Sequence, residues 1–335
     1  MMWDELPSPA EPEEASDFHG RVVAEPSSKY FVKRMSRTSS AGGSVLSGDE
    51  DLLGDAPRMA PRKRAATAAR VQSARAGFGD LVEVSSPTRQ TSDLILSRDS
   101  AYTLLGVADE FRRGDEIRRH GLNVRSKLLF CGPPGCGKSL CAEVIAAELK
   151  MPLVTARLDA IIASHLGETA NNLRKMFDAA KARSVVLFLD EFDALARARE
   201  DTSEHSEIRR VVNSLLMMID RFEGNSLLLA ATNLEQSVDR AIWRRFDEVV
   251  VFDRPGIPQI RRLLKLKTKN FKADFDIAKY ADAFAGMSYA QIERTCISAM
   301  RTAILAHKKS IGPDLFERAL AHEKRRAQVE KSVLA

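Results

Sequence analysis

Residues 132–139 read GPPGCGKS, a GxxxxGK[ST] pattern that occurs once in the chain. An apolar stretch, Lys127–Cys131, precedes it, and a helical pattern from Lys138 to about Leu149 follows. No other feature constrains the fold as strongly. A glycine loop between a strand and a helix turns several backbone N–H groups onto phosphate oxygens, and the helix amino terminus adds its positive end. Gly132, Pro133, Pro134, Gly135, Cys136, Gly137, Lys138, Ser139 and Leu140 are the expected phosphate-binding residues. Lys138 is expected to reach the β- and γ-phosphates, and Ser139 to offer its hydroxyl to a magnesium ion.

The pattern around this loop alternates. Short apolar stretches at 127–131, 152–156, 184–189, 226–231 and 248–252 read as strands. Between them lie helical stripes: Leu173, Met176, Phe177 and Ala180, then Ile208, Val211, Val212, Leu215, Leu216 and Ile219. A helix dense in Arg and Glu is predicted over 102–120, after a short extended stretch at 93–96. Strand–helix alternation with fully apolar strands means an α/β fold, a doubly wound parallel sheet. After Pro255 the strands stop. Helices predicted over 258–269, 277–284, 289–307 and 313–329 make a small all-α domain, so the α/β domain spans 89–254 and the helical one 255–335. Residues 1–88 read as a disordered charged tail, because RMSRTSSAGGSVLSGDE and its surroundings carry too few apolar residues to offset the entropy of ordering. Only a short helix over 65–76 suggests itself there.

Composition excludes several classes. Of 335 residues, 44% are apolar and 29% charged, the values of a globular chain. No apolar run approaches the roughly 18 residues of a membrane helix. Asp4, Glu5, Glu11, Glu13 and Glu14 stand where a secretory leader would be basic and then apolar. Four cysteines without CxxC or Cys/His spacing suggest neither disulfides nor zinc, so a cytoplasmic location is expected. The formal charge of +5 is unevenly placed: residues 1–20 hold six acids and no base, residues 56–76 six bases and no acid. Arg62, Lys63 and Arg64 could touch nucleic acid or an acidic partner, or form a solvated run.

Asp190 and Glu191 end the apolar strand VVLFLDE. Side chains at the carboxyl end of a parallel strand emerge into the crevice where ligands bind. Behind a phosphate loop, Asp190 is expected to hold hydrated magnesium and Glu191 to take a proton from the attacking water. Asn233 follows LLLAAT in the same manner and could orient water beside the γ-phosphate, or serve only its turn. Arg244 and Arg245, in AIWRRFDEVV, read by themselves as a surface salt-bridge pair or as something more.

GPPGCGKS, LFLDEFDAL and ATNLEQSVDRAIWRRFD together resemble the AAA family of ATPases, over about 92–319. The resemblance implies a P-loop NTPase sheet followed by a helical lid, in a compact stand-alone member of bacterial type. It implies that Asn233 acts as the first sensor. Arg244 and Arg245 become arginine fingers reaching the nucleotide of a neighbouring subunit, in a homo-oligomeric ring that is usually a hexamer. Which arginine is the main finger stays open, because the family's proline–glycine insertion before FD is missing. Residues 286–290, GMSYA, are similar to the second sensor segment, with Tyr289 and Gln291 replacing small and acidic residues. His165, Leu166 and Gly167 stand where a central-pore loop would meet a threaded polypeptide, with histidine in the aromatic place. The implied activity is ATP hydrolysis with magnesium, used to remodel or unfold a protein client, with a separate effector or protease among the partners it could serve. The second reading is a nucleic-acid-linked ATPase of the recombinase-helper or helicase-loader type, supported by 62–64 and the basic run 261–272. A nucleotide-gated scaffold is a third, opposed by the intact Asp190–Glu191 pair. No membrane partner is expected.

Overall fold

The computed structural model describes residue 78 and residues 82–158, 166–193, 205–233 and 240–334. All of them belong to one unit, residues 53–335. The sheet comprises β1 (Val82–Ser85), β2 (Lys127–Cys131), β3 (Leu153–Arg157), β4 (Val186–Asp190), β5 (Leu227–Thr232) and β6 (Glu248–Val251). Its order is β1-β3-β4-β5-β2-β6, with β1 antiparallel to β3 and every other pairing parallel.

Strands β4 and β5 are apolar throughout because both of their faces are covered. Leu187, Leu189, Leu228 and Ala230 face one core with Met176, Phe177, Val212 and Leu215. These belong to α4 (Leu166–Lys181) and α5 (His205–Asp220). Val186, Phe188, Leu227 and Leu229 face the other, with Leu104, Val107, Ala142 and Ala146. Those helical residues come from α1 (Arg98–Arg112) and α3 (Lys138–Leu149). Alternate residues of one strand thus feed opposite cores, as the two-residue repeat of a strand requires. The doubly wound sheet is as expected.

The predicted helix 102–120 is two helices, α1 and α2 (Gly114–Arg119), broken at Arg113. Ser97 starts α1 by accepting from the Ser100 amide, so the helix begins four residues earlier than predicted. Following α6 (Arg240–Trp243) and β6, the lid comprises α7 (Ile257–Lys267), a 3-10 helix (Ile277–Phe284), α8 (Tyr289–Leu305) and α9 (Pro313–Leu334). Its core gathers Ile260, Leu264, Phe284, Ile292, Cys296, Ala299 and Phe316. Among the described residues no helix is long and apolar enough to cross a membrane.

One boundary needs correcting. Residues 82–85, assigned to the tail, form β1, paired Val82 with Ala156 through Ser85 with Leu153. Phe78 is also buried, in the α4–α5 core and under the Arg183 guanidinium at 5.7 Å. The signal was there in miniature: Val82 and Val84 alternate with polar residues before the breaker Ser-Ser-Pro. The predicted helix at 65–76 and the basic triplet at 62–64 lie outside the described residues. A chain lacking residues 1–88 is therefore expected to melt on the order of 10 °C below one lacking 1–76. It loses Phe78 and Val84, each worth about 1.5–3 kcal/mol when buried, and uncovers the edge of β3. Equal thermal melts of the two truncations would remove β1 from the stable fold.

Candidate functional site

Strand order sets the site. Cys131 at the end of β2 pairs with Thr232 of β5 and with Val251 of β6, and β4 lies on the far side of β5. Gly132, Asn233 and Asp190 therefore leave the sheet side by side at its carboxyl edge, where ligands bind in open α/β sheets. At Gly132 (φ +146°) a Cβ would stand 2.1 Å from the Phe252 carbonyl oxygen, so no other residue fits. Gly137 (φ +95°) caps α3 in the left-handed region and turns Lys138 into the first helical turn.

Lys138 is 7% exposed. Its Nζ donates to Gly132 O at 2.6 Å, to Pro133 O at 3.1 Å and to Asn233 Oδ1 at 2.8 Å. Burial pulls the Lys138 pKa down, opposed by Cys136, Asp190 and Asp193 beside it. The Ser139 hydroxyl donates to Asp190 Oδ2 at 3.3 Å. These contacts join the loop, β4 and β5 in one polar network.

At the end of β4 the chain turns sharply. Glu191 has φ +54°, a left-handed conformation that costs a non-glycine residue of order 1–3 kcal/mol. Its amide donates to Asp190 Oδ1 at 2.9 Å, and the next amide, Phe192, donates to Ala231 O at 2.8 Å. Phe192 fills the core beneath, edge-on to Phe246 at 5.8 Å. The turn thus leaves both carboxylates half-buried at the sheet edge while the chain is anchored below them. Asp193, 4% exposed, accepts from the Asn233 amide at 3.4 Å. Within LFLDEFDAL the sequence assigns this residue no part. An acid set in an apolar run was the available signal, since a buried carboxylate must find donors.

The two arginines, alike in sequence, are set apart by the fold. Arg245 Nε pairs with Asp220 Oδ2 at 3.1 Å, tying it to the end of α5. Arg244 is exposed and has no ion pair among the described residues. The turn that carries them is held by buried Phe246 and by Asp247, whose Oδ2 accepts from the amides of Ser126 at 2.8 Å and Lys127 at 3.0 Å. The GMSYA segment lies against the phosphate loop, where Ala290 N donates to Gly135 O. His165 lies outside the described residues, and Leu166 and Gly167 open α4. Cys131, Cys136 and Cys141 are buried, and burial raises the Cys141 thiol pKa, so core packing is their part here.

The residues present fit a nucleoside triphosphate with magnesium. A Cβ at Gly137 would meet nothing within 4 Å among the described residues, so the loop has room at that position. The adjoining oxygens of Ser139 and Asp190 suit a hard cation that keeps several waters.

Comparison with known proteins agrees with this geometry. The profile of the ATPase family associated with various cellular activities (AAA) matches residues 128–254. An uncharacterized AAA family ATPase of Sinorhizobium fredii is 55% identical over 247 residues, covering 74% of this chain and 75% of that protein. The ATP-dependent zinc metalloprotease FtsH 1 of Sphaerobacter thermophilus is 29% identical over 256 residues, 72% of this chain and 39% of its own length. FtsH of Pirellula staleyi is 33% identical over 219 residues, 63% of this chain and 31% of its own. The chain thus spans well under half of those two metalloproteases.

Proposed function

The chain belongs to the AAA family of ATPases, and from that footing we propose that it works as a magnesium-dependent, ring-forming ATPase, hexameric when assembled, that remodels or unfolds a protein client. The observation that carries the ring is Arg244: a guanidinium held out to solvent by a rigid turn, beside an Arg245 already committed to Asp220. A neighbouring copy is the partner that gives such a side chain work to do, since stabilising charge on a γ-phosphate in trans suits a cation that no ion pair among the described residues holds.

Within one subunit the parts divide as follows. The loop amides of residues 132–139 cradle the phosphates, and Lys138 gives its charge to the β/γ oxygens, exchanging carbonyl partners for phosphate ones. Ser139 and Asp190 hold magnesium, mainly through water. When bound, the ion would supply positive charge to offset that developing on the phosphates. Glu191 accepts the proton of the attacking water, and Asn233 keeps its amide beside Lys138 while orienting that water. Asp193 fixes the Asn233 backbone. The protein client rests on likeness to ATP-dependent proteases, and 165–167 is the segment proposed to grip it.

A second reading has its own support. Arg261, Arg262, Lys265 and Lys269 are exposed along α7 and just past its end, and none is ion-paired among the described residues. A polyanion such as nucleic acid could lie there. Steady-state ATPase assays with added ligands separate the two. An unfolded polypeptide is expected to raise turnover, and ATP to shift the mass in light scattering to that of a ring. Stimulation by DNA or RNA instead, lost steeply with salt, would transfer the assignment to the nucleic-acid reading. A monomeric mass at every concentration with full turnover would end the ring.

A further inference from the structure

The lid meets the phosphate loop at the first turn of α8. Ser288 caps the helix, its Oγ accepting from Gln291 N at 3.3 Å while Gln291 Oε1 accepts from Ser288 N at 2.8 Å. The opening amides of a helix lack partners within it, and one of them, Ala290 N–H, donates to Gly135 O at 3.1 Å. The approach is close. A Cβ at Gly135 would stand 3.0 Å from both Ser288 Oγ and Ala290 Cβ.

Tyr289 sits in that joint. Among the described residues it is the side chain packed against both the core beneath the phosphate loop, which holds Cys136, and the core of the lid. Burial pushes its hydroxyl up to about 12, with Cys136 and Asp253 adding to the shift and Arg262 opposing it. The ring therefore stays neutral at working pH. The Ala290–Gly135 bond has company: Arg254 Nη1 donates to Gly286 O at 2.6 Å, and Ile95, ahead of α1, is buried in the lid core. Those two tie the lid to the segments after β6 and before α1, whereas Tyr289 packs beside the phosphate loop itself, where a flat ring gripped by two cores resists displacement of even small size.

We propose that Tyr289 is a positioning residue for ATP hydrolysis, its ring wedging the lid to the phosphate loop so that residues 135–138 and the first turn of α8 move as one body. The lid's tilt then sets how well Lys138 and Ser139 meet the phosphates, and phosphate binding in turn sets the tilt. Tyr289 touches none of the reacting atoms on this account and acts through the loop backbone. The proposal rests on the ATPase activity above and adds the route by which that activity is passed to the lid.

The test uses the full chain with Tyr289→Phe, Tyr289→Leu and Tyr289→Ala. Two quantities are read: kcat and KM for ATP, and hydrogen exchange of residues 132–140 and 286–295 with and without ADP. Tyr289→Phe keeps the ring and should match the parent in both. Tyr289→Ala should lower kcat and raise KM together, by roughly 2- to 30-fold, the scale of mutations along a coupling route. ADP should still protect its loop amides, but the protection at 286–295 should disappear. A merely structural residue would lower the melting temperature and leave that lid response in place. Should the alanine variant fail to fold, Tyr289→Leu decides, since it keeps apolar volume without a ring that spans both cores. A folded leucine or alanine variant with parental kcat, KM and lid protection would overturn the proposal. So would a Tyr289→Phe variant as impaired as alanine, which would give the work to the hydroxyl. If the parent hydrolyses ATP but its lid never responds to ADP, the wedge fails and the ATPase assignment stands.

Discussion

Arg244→Ala is expected to lower ATP turnover by roughly 10³–10⁵-fold while ATP still binds. On the proposed assignment most phosphate contacts belong to the loop of the subunit that holds the nucleotide, so affinity should survive the loss of a donor from outside. Arg245→Ala breaks an exposed pair with Asp220, worth under about 1 kcal/mol, and should leave turnover within a few-fold. A shared site also predicts rescue. A Lys138→Ala subunit lacks the ammonium that now serves Gly132 O, Pro133 O and Asn233 Oδ1, and should lose nucleotide binding, yet it still presents Arg244. An Arg244→Ala subunit still offers an intact loop. Mixing the two dead variants should restore activity at junctions where an intact loop meets an intact arginine. A mixture that stays dead although mixed rings form in native mass spectrometry would refute the shared site. Equal damage from Arg244→Ala and Arg245→Ala would refute the division drawn from the ion pair.

That division marks the limit of what the sequence could say. Parallel strands read clearly because each carries its burial in its own composition: LLLAAT needs no partner to be recognised as a strand covered on both faces. The loop was legible for a similar reason, since GPPGCGKS holds its turn-forming glycines, its lysine and its hydroxyl within eight residues. What was missed depends on residues distant in the chain. Arg245 is set apart from Arg244 by Asp220, which waits 25 residues away at the end of α5. Asp193 gains its part only when β5 brings the Asn233 amide to it, 40 residues on. β1 is four residues long and becomes a strand because β3 offers an edge. Tyr289 is half-buried in two cores at once, a state that no periodicity within α8 encodes. Local pattern reports propensity, whereas these contacts report the register of the whole sheet and lid.

Glu191→Gln is expected to bind ATP normally and to hydrolyse it about 10²–10⁴-fold more slowly, because an amide cannot accept the proton of water. The substitution keeps the size of the side chain and leaves the backbone turn at φ +54° as it is, so the melting temperature should stay near that of the parent. With hydrolysis stalled, the variant should collect as an ATP-bound ring in light scattering. A companion, Glu191→Gly, probes why a strained residue stands there at all. Glycine adopts a positive φ freely, which relieves about 1–3 kcal/mol of strain against about 0.5–1 kcal/mol of added chain freedom when unfolded. It should therefore be as inactive as the glutamine variant and melt no lower. Together the pair separates carboxylate chemistry from backbone shape. If both variants turn over ATP at near-parental rates, another group activates the water and the Asp190–Glu191 turn serves the fold alone. If glutamine is inactive but glycine melts well below it, the side chain at 191 holds the site together through contacts of its own, and its loss of activity is not evidence for a general base.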